Sequence, residues 1–180
     1  MMTRENNLFL RVTLAFIMFH LMTITLMSQD KIAQNAAFGD EIDKYLHYSV
    51  PIINVSTLHN NFDEFIILDT RELEEYEVSH IPGAIYVGYD EFSEYSIPEG
   101  LNPDQKIVVY CSIGYRSEKI GEKLVAAGYK KVYNLYGSIF EWANYDFPLE
   151  DMNHQKTLNL HTYNKAWSKW ISNPEIKKTW

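Results

Sequence analysis

A doubly wound α/β domain, built on a mainly parallel sheet of about five strands, is what the sequence predicts, on three observations. Strand-like and helix-like patterns alternate from Val50 to Tyr145. The strand candidates are short unbroken apolar runs, such as Phe65-Ile66-Ile67-Leu68 and Ile107-Val108-Val109-Tyr110, the pattern of strands buried on both faces. The only cysteine in 180 residues, Cys111, falls in a turn between one such strand and a helix. Open parallel sheets bind their ligands at that address, beyond the carboxyl ends of the strands.

Taken in order, Val50 to Val55 reads as an edge strand, because Pro51 cannot donate to a central ladder. Phe65 to Leu68 is a second, buried strand ending at Asp69-Thr70-Arg71. Glu72 to Ser79 is expected as a short acidic helix with Leu73 and Tyr76 inward, followed by a turn at His80-Ile81-Pro82-Gly83. Ala84 to Val87 is a third strand, Asp90 to Glu94 a helical turn, and Ser96 to Gln105 a loop with Pro98, Gly100 and Pro103. After the cysteine turn, Ile120, Leu124 and Ala127 mark one face of a helix from Ser117, with Gly128 as its C-cap. Val132 to Leu135 is the last strand of the sheet. Gly137 to Tyr145 is a final helix carrying Phe140 and Trp142.

Four regions follow: 1–28, a signal peptide or membrane anchor; 29–49, a linker with room for a short helix around Glu41 to Leu46; 50–150, the α/β domain; and 151–180, a C-terminal extension. In that extension Tyr163, Ala166, Trp167 and Trp170 fall at helical spacing, so a docked aromatic helix is expected, with a partner surface as the other reading. In the N-terminal region, residues 8–27 are apolar apart from Arg11, His20 and three threonines. The arginine-free stretch from Val12 to Met27 is 16 residues, roughly 24 Å as a helix, short of the ~30 Å hydrocarbon core. A secretory signal is the leading expectation, placing the protein outside the cytoplasm, in the periplasm or at a membrane held by this segment alone. A buried cytoplasmic helix is the alternative.

Composition narrows the function classes. With 46% hydrophobic and 14% aromatic residues the chain has ample material for one core. The formal charge is −8, which disfavours nucleic acid as a partner. One cysteine and no paired histidine spacing lead us to expect no metal and no cofactor.

The turn itself is Tyr110-Cys111-Ser112-Ile113-Gly114-Tyr115-Arg116-Ser117. The unpaired N–H groups of a helix N-terminus favour an anion, and a thiolate is one. With Arg116 close by, the thiol pKa should fall from about 8.5 toward or below about 7. Gly114 permits positive φ and a close backbone approach. Glu118, in the first turn, opposes a second anion. The bland alternative is a small buried hydrophobe.

Three stretches together resemble the rhodanese family of sulfurtransferases: Leu68 to Val87 (LDTRELEEYEVSHIPGAIYV), Val108 to Ser117 (VVYCSIGYRS) and Leu135 to Trp142 (LYGSIFEW). The third departs from the family pattern in having Ser138 where a second glycine is usual. The resemblance implies a single-domain, three-layer α/β/α sandwich and a persulfide mechanism. Cys111 would be the nucleophile, and Ser112, Ile113, Gly114, Tyr115, Arg116 and Ser117 would hold a small anionic sulfur donor such as thiosulfate. The acceptor would be a thiol, cyanide or a protein. Asp69 and Arg71 stand at the end of the neighbouring strand as a supporting pair, more readily a structural brace; His80 reads as a turn residue.

Two rivals remain. Cysteine phosphatases and arsenate reductases also use a Cys-to-Arg loop at a helix N-terminus, but theirs is one residue longer, to ring a tetrahedral oxyanion. A non-catalytic binding or sulfur-carrier module is the rival from another class, because fold does not fix function.

Overall fold

The computed structural model describes Thr13 and residues 33–180. The expected signal or anchor at 1–28 lies, apart from Thr13, outside the described residues. Among those described, no helix is long and apolar enough to cross a membrane.

Five parallel strands form the central sheet: β1 (Ile52–Ile53), β2 (Phe65–Asp69), β3 (Ile85–Tyr86), β4 (Lys106–Tyr110) and β5 (Lys131–Leu135). Their spatial order is β1-β5-β4-β2-β3, so β1 is an edge strand, as its proline predicts. β4 lies at the centre, with Val108 opposite Ile67 of β2 and Tyr133 of β5. Its apolar run serves two cores: Ile107 and Val109 join one cluster, Val108 and Tyr110 the other. A period of two in a fully apolar strand therefore builds layers on both sides of the sheet.

Within residues 33–180 the α-helices are α1 (Ala36–Ile42), α2 (Val55–Asn60), α3 (Leu73–Val78), α4 (Tyr115–Ala126) and α5 (Ser138–Asn144). Ile120 and Leu124 of α4 are completely buried against Ile107, Val109 and Val132. Gly121 brings that helix so close that an added Cβ would lie 3.0 Å from Val50. Phe140 and Trp142 of α5 are buried in the larger cluster on the opposite face.

Four expectations are corrected. The 29–49 region is not a plain linker over its described part: α1 starts earlier than the short helix expected, is capped by the Asn35 side chain and sends Phe38 and Ile42 into the core, where Leu46 from the following turn joins them. Leu73 of α3 is 49% exposed, and the buried position on that helix is Glu75. Ala127 likewise points to solvent at the end of α4, whose buried face turns instead through Ser117, Glu118 and Gly121. The tail docks, but not as an α-helix: it forms β6 (Leu149–Glu150) with antiparallel β7 (Lys156–Thr157), then β8 (Asn159–His161) parallel to β9 (Lys177–Thr179). Its aromatic stripe is one 3-10 turn at Trp167–Trp170, where Trp170 stacks on Phe38 at 5.4 Å.

Candidate active site

Cys111 follows β4 directly, and its Sγ accepts the Gly114 N–H at 3.2 Å. Gly114 makes this possible by taking φ 121°, a conformation side chains resist, and an added Cβ would press on Leu46 at 3.3 Å. The loop is pinned from below. Ser117 Oγ donates to Asn134 Oδ1 at 2.7 Å, and Asn134 Nδ2 donates back to the Gly114 carbonyl at 2.9 Å. Asn134 sits on β5, so two adjacent strands fix the turn.

Ser138 is part of the same scaffold. Its φ of 51° lies in the left-handed region, where glycine is favoured. Its hydroxyl donates to the Leu135 carbonyl and accepts the Cys111 backbone N–H, both at 3.1 Å. The departure from the glycine pattern thus trades backbone strain for a hydrogen bond to the cysteine's own amide. The first amides of α5 complete the clamp, with Ile139 donating to the Cys111 carbonyl and Phe140 to that of Ser112.

Arg116 projects toward the thiol but is held by a carboxylate that the sequence reading missed. Its two terminal nitrogens donate to Glu75 at 2.6 and 2.8 Å, and one also reaches Ser112 Oγ at 3.0 Å. Ser112 Oγ in turn donates to Glu75 at 3.1 Å. Burial pushes Glu75 up, yet the Arg116 guanidinium outweighs it and leaves the carboxyl below its ordinary range. The same balance decides the thiol. Burial opposes its ionisation, but Arg116 and the N–H groups of Ser117 and Gly114 together hold Cys111 below the ordinary thiol value. Cys111 itself is only 2% exposed.

Glu118 does not face the sulfur. It is buried on the other side of α4 and accepts the N–H groups of His47 and Ser49, each at 2.9 Å. Asp69 and Arg71 form a fully buried ion pair at 2.6 Å, and Arg71 also donates to the Ser79 carbonyl. Neither lines the cavity over Cys111. They brace the two ends of α3, the helix that carries Glu75.

That cavity holds about 740 Å³. Its floor is Cys111, Ser112 and Ile113; Arg116, Glu72 and Asp90 line one part; Tyr45, Tyr89, Tyr115, Tyr163 and Trp167 supply aromatic walls. Tyr115 lines it, while Gly114 and Ser117 act from beneath the loop. Trp167 meets Tyr45 edge-on at 5.5 Å, and Tyr163 covers the Arg116 guanidinium at 5.2 Å. Glu75 was legible only as one acid in an acidic helix. Tyr45 lay in a presumed linker, and Tyr163 and Trp167 in a presumed helical stripe.

The family model for the rhodanese-like domain matches residues 54–145, half of the chain. The chain belongs to the rhodanese-like domain family. It is 32% identical over 90 residues to the thiosulfate sulfurtransferase GlpE of Coxiella burnetii, covering 50% of this chain and 81% of that protein. It is 33% identical over 97 residues to the putative sulfur carrier protein YrkF of Bacillus subtilis, covering 52% of this chain and 51% of that one. The chain thus spans about half the length of the Bacillus relative. Among solved structures, the rhodanese-related protein from Thermoplasma volcanium superposes with a TM-score of 0.50 at 28% identity, over 55% of this chain and 96% of that one. A rhodanese-like domain from Anabaena, at 23% identity and a TM-score of 0.53 over 59% and 83% of the two chains, shares the fold. The rhodanese-like region contains Cys111, Arg116, Glu75 and Ser138, whereas Tyr45, Tyr163 and Trp167 come from outside it.

Proposed function

We propose that this protein is a sulfurtransferase that carries a sulfane sulfur on Cys111. The observation that supports this most directly is the Cys111 thiol, depressed in pKa and facing the Gly114 N–H at the head of α4. The thiolate attacks the outer sulfur of a donor such as thiosulfate. The S–S bond to the sulfonate breaks, sulfite leaves with its electron pair, and Cys111 becomes a persulfide anion. An acceptor thiolate or cyanide then attacks the terminal sulfur, leaving as a new persulfide or as thiocyanate and restoring the Cys111 thiolate. The loop amides stabilise the negative sulfur in both forms, as an oxyanion hole does for oxygen.

The walls of the site favour an organic partner. A cavity of about 740 Å³ is in the size range of drug-sized ligands, ~300–1,000 Å³. Among the described residues Arg116 is the single positive charge on its lining, and it is already engaged by Glu75 and lies 3.8 Å from Glu72, with Asp90 also on the wall. A dianion meets more negative than positive charge there. A thiol or persulfide on an organic body, with apolar surface for the tyrosines and Trp167, meets both features. The resting place of the sulfur is thus a carrier as much as a catalyst, and a protein-borne thiol is the second reading.

The full-length chain tests the proposal. It should transfer sulfur from thiosulfate to cyanide, and should be isolated or loaded with one extra sulfur atom on the Cys111 peptide by mass spectrometry. Cys111→Ser should abolish both. Equal activity in wild type and mutant, or turnover of an aryl phosphate without sulfur transfer, refutes the reading. Export through residues 8–27 belongs to the same proposal, and N-terminal sequencing of the mature protein separates cleavage from anchorage.

A further inference from the structure

Away from the cysteine pocket, His80, Glu150 and His154 are brought together at the junction between α3 and the C-terminal extension. The chain builds this junction deliberately from both sides. His80 and Glu150 exchange backbone hydrogen bonds at 2.9 and 3.0 Å as an isolated antiparallel bridge, which fixes the separation of their side chains. A tight turn, in which Asp151 accepts the N–H groups of Asn153 and Gln155, then swings His154 back over Glu150.

The orientation of His80 is determined by its surroundings. Its ring stacks on Tyr76 with centroids 3.9 Å apart, and Nδ1 lies 3.0 Å from the Tyr76 carbonyl. A carbonyl can only accept, so Nδ1 is the donor there and Nε2 is the atom left to face the cluster. Yet His80 is only 1% exposed, and its Nε2 has no hydrogen-bond partner. It points instead at Glu150 Oε1, 3.4 Å away. An unpartnered ring nitrogen this near a carboxylate oxygen in a buried corner calls for a positive charge between them, a proton or a metal ion.

We infer that His80 Nε2, Glu150 and His154 Nδ1 form a site for a divalent transition-metal ion of the zinc class. The separations support it. His154 Nδ1 is 3.1 Å and His80 Nε2 is 3.4 Å from the same Glu150 oxygen, and all three ligand atoms lie within 4.8 Å of one another. A tetrahedral ion with ligands at about 2.0–2.1 Å has edges of about 3.3 Å. Two imidazoles and a carboxylate are a common donor set for such an ion, and the His80 Nδ1 contact with the Tyr76 carbonyl is the outer support that metal-bound histidines usually have. The Gly83 N–H, 2.8 Å from Glu150 Oε1, orients the carboxylate in the same way. His154 is 77% exposed, so the fourth position opens to water. Bound metal would staple the start of the extension to the end of α3.

Sequence spacing concealed this site, because His80 is remote in the chain from the Glu150-x-x-x-His154 pair. The test uses the full-length Cys111→Ser protein, so that the thiol contributes no ligand. Metal-stripped protein titrated with Co2+ should give visible d–d absorption of a low-coordinate ion, and Zn2+ should displace it at one ion per chain and raise Tm. His154→Ala, at an exposed position, should weaken Zn2+ binding by about tenfold or more, and Glu150→Gln likewise. Absence of Co2+ absorption and of a Tm response, or unchanged affinity in His154→Ala, overturns the inference and leaves His80 and Glu150 as a simple proton-bridged contact.

Discussion

At the scale of single residues, the site is tuned by two substitutable contacts. Ser138 is strained at φ 51° but accepts the Cys111 N–H. Ser138→Ala keeps the strain and orphans a buried donor, so it should cost about 1–2 kcal/mol in denaturant unfolding. Ser138→Gly loses the same bond but relieves the backbone, and should fall closer to wild type. The second contact is Arg116 with Glu75. The guanidinium favours the thiolate, and Glu75 opposes it from behind. Arg116→Ala should therefore move the pH midpoint of Cys111 alkylation upward and Glu75→Gln should move it downward, read from iodoacetamide rates against pH. A midpoint indifferent to both changes would assign the thiolate to the backbone amides alone. The cysteine, the arginine and the glycine turn were all legible, because a strand-to-helix turn and the chemistry of a thiolate select them. Glu75 was not legible, because its burial is decided by Arg116, far away in sequence.

Among elements, α3 departs most from its pattern. Periodicity assigned Leu73 to the inward face, yet Leu73 is exposed and Glu75 is 1% exposed. The helix is rotated by its ends: the Asp69–Arg71 pair anchors its start, and Arg71 also holds the Ser79 carbonyl beyond its last turn. Hydrophobic spacing cannot register an ion pair that outcompetes one leucine. Its consequence for acid stability has a definite sign. Glu75 is held below its ordinary 4.5, so its pair with Arg116 stabilises fully above that value and is lost as pH falls through the lower, folded one. Glu75→Gln should cost about 3 kcal/mol at neutral pH, and its deficit relative to wild type should shrink in strong acid. On the opposite face, α4 followed its pattern well at Ile120 and Leu124. Gly121→Ala should still destabilise it by about 1–2 kcal/mol, since the new methyl would meet Val50 at 3.0 Å.

The whole molecule is a rhodanese-like domain whose flanks complete its pocket. The five-stranded parallel sheet and the edge position of β1 follow from apolar runs and one proline, whereas the order of the inner strands is set by pairing that the sequence does not display. The flanks resisted reading because their apolar residues are sparse and serve a surface that only the folded domain provides. Phe38, Ile42 and Leu46 cover one side of the core, and Leu160, Ile171 and Ile176 are buried beside them. Two ring contacts join the flanks: Phe38 stacks on Trp170 in the core, and Tyr45 meets Trp167 edge-on in the cavity wall. Trp167→Ala should raise KM several-fold for a bulky organic thiol while leaving cyanide unaffected; equal effects on both would place Trp167 in folding rather than in substrate choice.

The enclosure of Cys111 has one last consequence. With a single thiol in the chain, and that thiol buried at 2% exposure, two intact molecules cannot bring their sulfurs within bonding distance. Covalent dimers on a non-reducing gel would therefore count only the copies whose roof has come away, turning an ordinary oxidation artefact into a gauge of how often the chamber opens.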